Sequence, residues 1–146
     1  MTLDNLIGRS LELIAPDKAM IQRLLAAARR NICDADIKTL SNENRFDMAY
    51  KAIMQMANAA LQANGYRTLT SVPGHHQTMI QSLIKTIGLP SEKMIELDAL
   101  RKQRNVAGYS GDLITDSTMQ HCLYWAGELS TLLNHYLQEQ HPELLL

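Results

Sequence analysis

Aromatic residues make up only 5% of this 146-residue chain, with one tryptophan and one phenylalanine. Runs of β-branched residues are few, and strands draw on both classes, so a sheet protein is not expected. Neither sign of charge is in excess: 14 Lys and Arg against 15 Asp and Glu give a formal net charge of −1. That excludes the global basic field behind non-specific nucleic-acid binding, so any anion site must be local. No run approaches the roughly 18 consecutive apolar residues of a membrane span. The opening MTLDNLIGRS carries an early aspartate and no apolar core, so a signal peptide is not expected. The two cysteines, Cys33 and Cys122, have no CxxC partner and read as buried free thiols, which suits a reducing cytoplasm. GxSxG, HExxH, P-loop and GxGxxG patterns are all missing, as are internal repeats and low-complexity tracts.

What is present is helical periodicity. With 46% hydrophobic and 20% charged residues, the composition is that of a globular protein, and the length suits one domain, 1–146, with one core. A short first helix is expected from Asp4 to about Ile14, and a second from Pro16 to about Ile32, with Met20, Leu24, Ala27 and Ala28 as its apolar stripe and Arg23, Arg29 and Arg30 outward. The third is framed by Ser41-Asn42-Glu43-Asn44, which resembles a capping box, and by Asn64-Gly65, a left-handed stop. Between them Phe46, Tyr50, Ile53, Ala57 and Leu61 recur at helical spacing, and alanines 49, 52, 59 and 60 widen the apolar face. Pro73-Gly74 is a turn signal before a fourth helix, His75 to about Ile87. Ser91 is expected to cap a fifth that ends near Ala107, and Asp116 or Ser117 to start a sixth running through Met119, Leu123, Ala126, Leu129, Leu133 and Tyr136 to Pro142. The expected architecture is all-α: an up-and-down bundle of about five to six helices, with N-terminal helices in 1–36 and the core bundle in 42–141.

The candidate chemistry lies in LDALRKQRNVAGYSGD, Leu97 to Asp112. At about 100° per residue, Leu97, Leu100, Arg101, Arg104 and Gly108 share one face of the fifth helix, while Lys102, Gln103 and Asn105 point outward. A guanidinium beside a bundle's inner face needs a partner. One solution is an internal carboxylate such as Asp47, Asp98 or Glu128; the other is a phosphate in a cleft, which arginine's planar fork suits. The adjacent His75 and His76 are expected to diverge on a helix and not to share a metal, since zinc needs three or four convergent ligands. No metal or cofactor is expected. His135 lies near the last helix's apolar stripe, and His141 at its C-terminal end complements the dipole. The eight methionines read as core filling.

Arg104-Asn105 near the end of the penultimate long helix, followed shortly by the aromatic Tyr109, resembles the HEPN superfamily of small helical bundles. Asn44-Arg45-Phe46-Asp47-Met48-Ala49-Tyr50 reads like the helix in which that family places an arginine, an acidic residue and an alanine-tyrosine pair. Gly65-Tyr66-Arg67 and Pro73-Gly74-His75-His76 resemble one bacterial branch. The resemblance covers roughly Asn42 to the end of the last helix. It implies a homodimer, and in many members a metal-independent ribonuclease whose Arg-x4–6-His motif lines a cleft between subunits. In such a site the arginine neutralises phosphate and the histidine moves protons.

Here Tyr109 stands five positions after Arg104, where the motif would place its histidine. A free tyrosine has a pKa near 10, against about 6.5 for histidine, and is a poor base at neutral pH. General acid–base catalysis is worth about 10²–10⁴-fold, so its loss leaves a slow nuclease or none. Three readings remain open. The first is a dimeric module that binds a nucleotide, RNA or a partner nucleotidyltransferase through Arg101, Lys102, Arg104, Asn105 and Tyr109, in a toxin–antitoxin setting. The second is a ribonuclease in which Arg104 and Tyr109, or a histidine from elsewhere, are catalytic. The third is a structural bundle with internal salt bridges.

Overall fold

In the computed structural model, the described residues are 3–111 and 113–146, the side chain of Tyr109 excepted. They form a helical bundle: α1 (Lys18–Ala35), α2 (Asn42–Ala63), α3 (His75–Thr86), α4 (Ser91–Ser110) and α5 (Asp116–Gln140). Strands β1 (Leu11–Leu13) and β2 (Tyr66–Thr68) and two 3-10 turns, Leu3–Leu6 and Pro142–Leu145, complete it. Among the described residues no helix is long and apolar enough to cross a membrane.

α2 is the centre. It buries 14 of its 22 residues, which only a helix enclosed on several sides can do. Phe46, Ile53, Ala57 and Leu61 are at most 1% exposed. Each large apolar side chain buried this way contributes about 1.5–3 kcal/mol. Its alanines at 49, 52, 59 and 60 are fully buried and let α1 and α5 approach closely. The Ser41 hydroxyl accepts from Asn44 N–H at 3.1 Å and starts the helix. Gly65, at φ +87°, turns the chain out of it, a conformation that costs a side-chain-bearing residue strain. On the opposite wall Met119, Leu129, Leu133 and Leu137 of α5 are buried.

Four expectations are corrected. The segment from Asp4 to Ile14 is not a helix: Gly8 takes φ +82° and breaks it, and β1 pairs antiparallel with β2, Leu11 opposite Thr68. Ile14 N–H donates to Gly65 C=O at 2.9 Å, and Arg67 Nε to Glu12 Oε1 at 2.6 Å, so pairing to a distant segment outweighs local helical spacing. In α1 the buried stripe is Ile21, Leu25, Ala28 and Ala35, one residue on from the expected one, and Met20 is exposed. Leu and Ala on adjacent faces make either rotation acceptable, and the choice falls to what α1 lies against. α4 begins at Ser91 behind Pro90, whose carbonyl accepts from Lys93 and Met94 N–H, and it runs through Gly108 to Ser110. Cys33 is exposed; only Cys122 is buried. Burial pushes the Cys122 thiol up to about 12.

Arg45 is buried, at 6% exposure, and its Nε donates to Ala35 C=O at 2.8 Å. It places a positive charge on an orphan carbonyl at the C-terminus of α1, where the helix dipole favours it. This arginine is a structural clamp between α1 and α2.

Candidate functional site

α4 leans on α3 and only lightly on α2. Over 102–111 every described side chain but Ala107 is exposed, so its C-terminal half stands clear of the core. The connection that follows is tied to α2: Ile114 N–H donates to Glu43 Oε2 at 3.1 Å, and Asn42 Nδ2 donates to Ile114 C=O at 3.3 Å. These bonds hold the end of α4 beside the first turns of α2, and two clefts form there.

One cleft, of 560 Å³, is lined by Glu43, Phe46, Asp47, Arg104, Asn105 and Gly108 among others. The other, of 430 Å³, includes Asp47, Tyr50, Lys51, His76, Met79 and Arg104. Asp47 and Arg104 belong to both, so the two meet at that pair.

The two arginines separate in role. Arg101 Nε donates to Asp98 Oδ1 at 2.7 Å, with both side chains mostly buried (15% and 13% exposed), and Lys102 Nζ lies 3.6 Å from Asp98 Oδ2. The internal-carboxylate solution thus applies to Arg101, with Asp98 as partner. Glu128 lies 3.9 Å from Lys93 instead. Arg104 is exposed, and among the described residues no carboxylate pairs with it. Its guanidinium lies over the Tyr50 ring, 5.4 Å from the centroid. That contact favours the cation by about 0.5–1 kcal/mol at an exposed site and holds the fork without using its N–H donors. Asn105 is exposed on the neighbouring cleft wall. The Tyr109 side chain lies outside the described residues.

Periodicity places Tyr50 in the core and gives His76 no partner. Tyr50 is 2% exposed, yet its hydroxyl lies 3.4 Å from His76 Nδ1. The rings of His75 and His76 do not diverge: their centroids are 4.6 Å apart, edge to face. Burial pushes the Tyr50 phenol up to about 12, against the opposing pull of Arg104 and Arg101. The His76 imidazole is held below its ordinary value, first by burial and then by His75, Arg104 and Arg101. At neutral pH the cleft therefore presents a protonated phenol, a neutral imidazole and a fixed guanidinium. Such a set can bind an anion, and its imidazole can take up a proton. The sequence signal for His76 was its place just after the Pro73-Gly74 turn; its proximity to Tyr50 and Arg104 is a tertiary fact.

The remaining histidines lie elsewhere. His135 is exposed, 3.2 Å from Glu139, and not on the apolar stripe. His141 Nε2 lies 3.1 Å from the Tyr136 hydroxyl, which donates to Asn64 Oδ1 at 3.1 Å. No group of three or more His, Cys, Asp or Glu side chains converges as metal ligands among the described residues. Comparison with protein-family models, with curated proteins and with solved structures gives no match.

Proposed function

We propose that this chain is a HEPN-like helical module that binds the phosphate of a nucleotide or RNA at Arg104, with nuclease activity weak or absent. One observation carries the reading: of two arginines one helical turn apart, Arg101 is neutralised by Asp98 while Arg104 lies open over Tyr50 where two clefts meet. An exposed guanidinium propped on a ring keeps its donors for a ligand, and its fork matches phosphate oxygens. Arg101 and Lys102 are engaged by Asp98 within α4 itself and leave Arg104 as the open cation, and Asn105 supplies an amide on the adjoining wall. Hydrogen bonds to a charged group are worth about 1.5–3 kcal/mol, so Arg104→Ala is expected to weaken binding of ATP or a short oligoribonucleotide about 10- to 150-fold. For the oligonucleotide the salt slope should also fall by about one unit. Unchanged titrations would overturn the reading.

A homodimer belongs to this proposal; the outward stripe of α4 supports a contact that leaves Arg104 on the far side of the helix, not in the cleft between subunits that the resemblance implies. Ile95 and Val106 are 61% and 55% exposed and share a face with Ala99, roughly opposite Arg104 on the helix. Glu92 and Glu96 precede Lys102 on the same helix, so a second copy packed antiparallel would bring acid against base. Val106→Glu should convert a dimer to monomers in light scattering. A wild-type monomer would remove this part and leave the face for a partner such as a nucleotidyltransferase.

A second reading, metal-independent RNA cleavage, is favoured by His76. A neutral imidazole beside Tyr50 and Arg104 is a proton acceptor in the cleft, a task for which a phenol of ordinary pKa is poorly suited at neutral pH. It predicts chelator-insensitive cleavage abolished by both Arg104→Ala and His76→Ala; an inert wild-type protein would dismiss it.

A further inference from the structure

We infer that the cleft between α2, α3 and α4 takes a terminal phosphate, a phosphomonoester dianion, with Lys51, His76 and Arg104 as its cationic contacts. The inference rests on the phosphate reading of Arg104 and adds the kind of phosphate and a proton that binds with it.

Charge matching is the first argument. Lys51 and Arg104 contribute two positive charges to the 430 Å³ cleft, and Asp47 is the carboxylate on its wall among the described residues. With His76 neutral, the wall carries one net positive charge, which suits the single negative charge of an internal phosphodiester. A phosphomonoester carries a second negative charge above its second pKa of about 6. His76 is the one group on this wall, among the described residues, that can supply a matching charge near neutral pH.

Geometry is the second argument. Tyr50 is the common neighbour: Arg104 lies 5.4 Å from its ring centroid, and the His76 ring centroid is 6.2 Å from it. The Tyr50 phenol stays protonated through the neutral range; in the tautomer with the imidazole proton on Nε2, it donates to Nδ1 of His76 across 3.4 Å. When His76 gains a proton, Nδ1–H becomes the donor and the phenol's hydrogen is released to turn toward the cleft. Proton uptake thus adds a charge and frees a donor in the same step.

The surroundings explain why the proton waits for the ligand. His75 from α3 and Arg101 and Arg104 from α4 all oppose the imidazolium, and burial opposes it more. On α4, Asp98 is already engaged by Arg101 and Lys102; on α2, Lys51 and Asp47 line the same cleft with opposite charges. A bound dianion reverses this balance. Above the phosphate's second pKa the complex then holds one proton more than its separate parts. Affinity should fall as pH rises, by up to about tenfold for each unit by which the ligand raises the imidazole pKa.

The test uses the full chain and three probes: a 5′-phosphorylated oligoribonucleotide, the same oligonucleotide with a 5′-hydroxyl, and AMP. Titrations run from about pH 6.5 to about pH 8.5, where a histidine changes charge and the phosphate remains largely dianionic. The phosphorylated probe should bind at least about tenfold more tightly at the low end, with affinity falling toward high pH. His76→Gln should flatten that dependence for the phosphorylated probe. AMP binding as tightly as the phosphorylated oligonucleotide marks a free nucleotide as ligand; binding of the oligonucleotide alone marks an RNA end. Either supports the inference. Equal binding of the two oligonucleotides, still lost in Arg104→Ala, overturns it while the phosphate reading stands. If none of the probes binds, both fall. Should His76→Gln fail to fold, the wild-type ring C–H resonance of His76 decides: its pKa must rise when AMP is added, and an unmoved titration overturns the inference.

Discussion

The separate roles of Arg101 and Arg104 can be tested by stability measurements before any ligand is known. Arg101→Ala strands Asp98, which is only 9% exposed, although Lys102 at 3.6 Å remains as a partial counter-charge. Removing one partner of a fully buried ion pair costs about 3–5 kcal/mol. The remaining lysine and the residual exposure bring the expectation here to about 2 kcal/mol, a loss of about 6–8 °C in Tm for a chain of this size. Arg104→Ala removes an exposed side chain and one contact with the Tyr50 ring, and should stay within about 1 kcal/mol. Urea titration gives both values, with unchanged m confirming two-state behaviour. Adding Asp98→Asn to Arg101→Ala should recover about half the loss, because the stranded charge is gone. Arg101→Ala costing under about 0.5 kcal/mol, or Arg104→Ala costing over about 2 kcal/mol, would refute the assignment of pairing to one arginine and availability to the other.

Four further outcomes follow from burial. Arg45→Met should destabilise the fold by about 2 kcal/mol in urea, since the Ala35 carbonyl loses its charged donor; a change under about 0.5 kcal/mol would remove Arg45 as the clamp of α1. Cys33 should react with a thiol reagent in the native protein while Cys122 reacts only on unfolding, and equal native rates would contradict the burial. The raised Cys122 pKa also carries a sign: the folded state keeps the thiol, so its contribution is intact below the ordinary value of 9.0 and is lost as pH rises from there toward about 12. Alkaline melts of Cys122→Ala should show a shallower decline over that range. Thr86→Val should leave stability unchanged or raise it by up to about 1 kcal/mol, because Thr86 Oγ1 is buried without a hydrogen-bond partner among the described residues; a loss above about 1 kcal/mol would reveal a bond the geometry does not contain.

Much of this was legible in the sequence because it is local. The long apolar period of Phe46, Tyr50, Ile53, Ala57 and Leu61, the Ser41 cap and the Asn64-Gly65 stop specify α2 through contacts a few residues apart, and the structure contains that helix with those ends. The same holds for α3 after Pro73-Gly74 and for α5, whose Thr115 cap lies one residue before the expected start. In α4 the spacing placed Arg101 and Arg104 together on the flank of the buried face. It could not tell them apart, because one turn of helix decides nothing about which side chain finds a carboxylate. Asp98, three residues before Arg101, was an available partner within the helix itself.

What the tertiary structure alone decided depends on pairs far apart in the chain. Leu11 to Leu13 form a strand because Tyr66 to Thr68 offer unpaired backbone groups across 55 residues, a force no local period reports. α1 is turned by one residue from its strongest local stripe because its neighbours fix the rotation. Arg45, which the sequence presented as part of a motif, is a helix clamp because the end of α1 meets the second turn of α2. The candidate site is of this kind: Tyr50 from α2, His76 from α3 and Arg104 from α4 are separated by 26 and 28 residues and meet only when three helices pack. Sequence determined the five helices from α1 to α5, since capping and periodicity act over single turns. Packing determined the cleft, since burial and charge pairing act between elements that the chain order does not make neighbours.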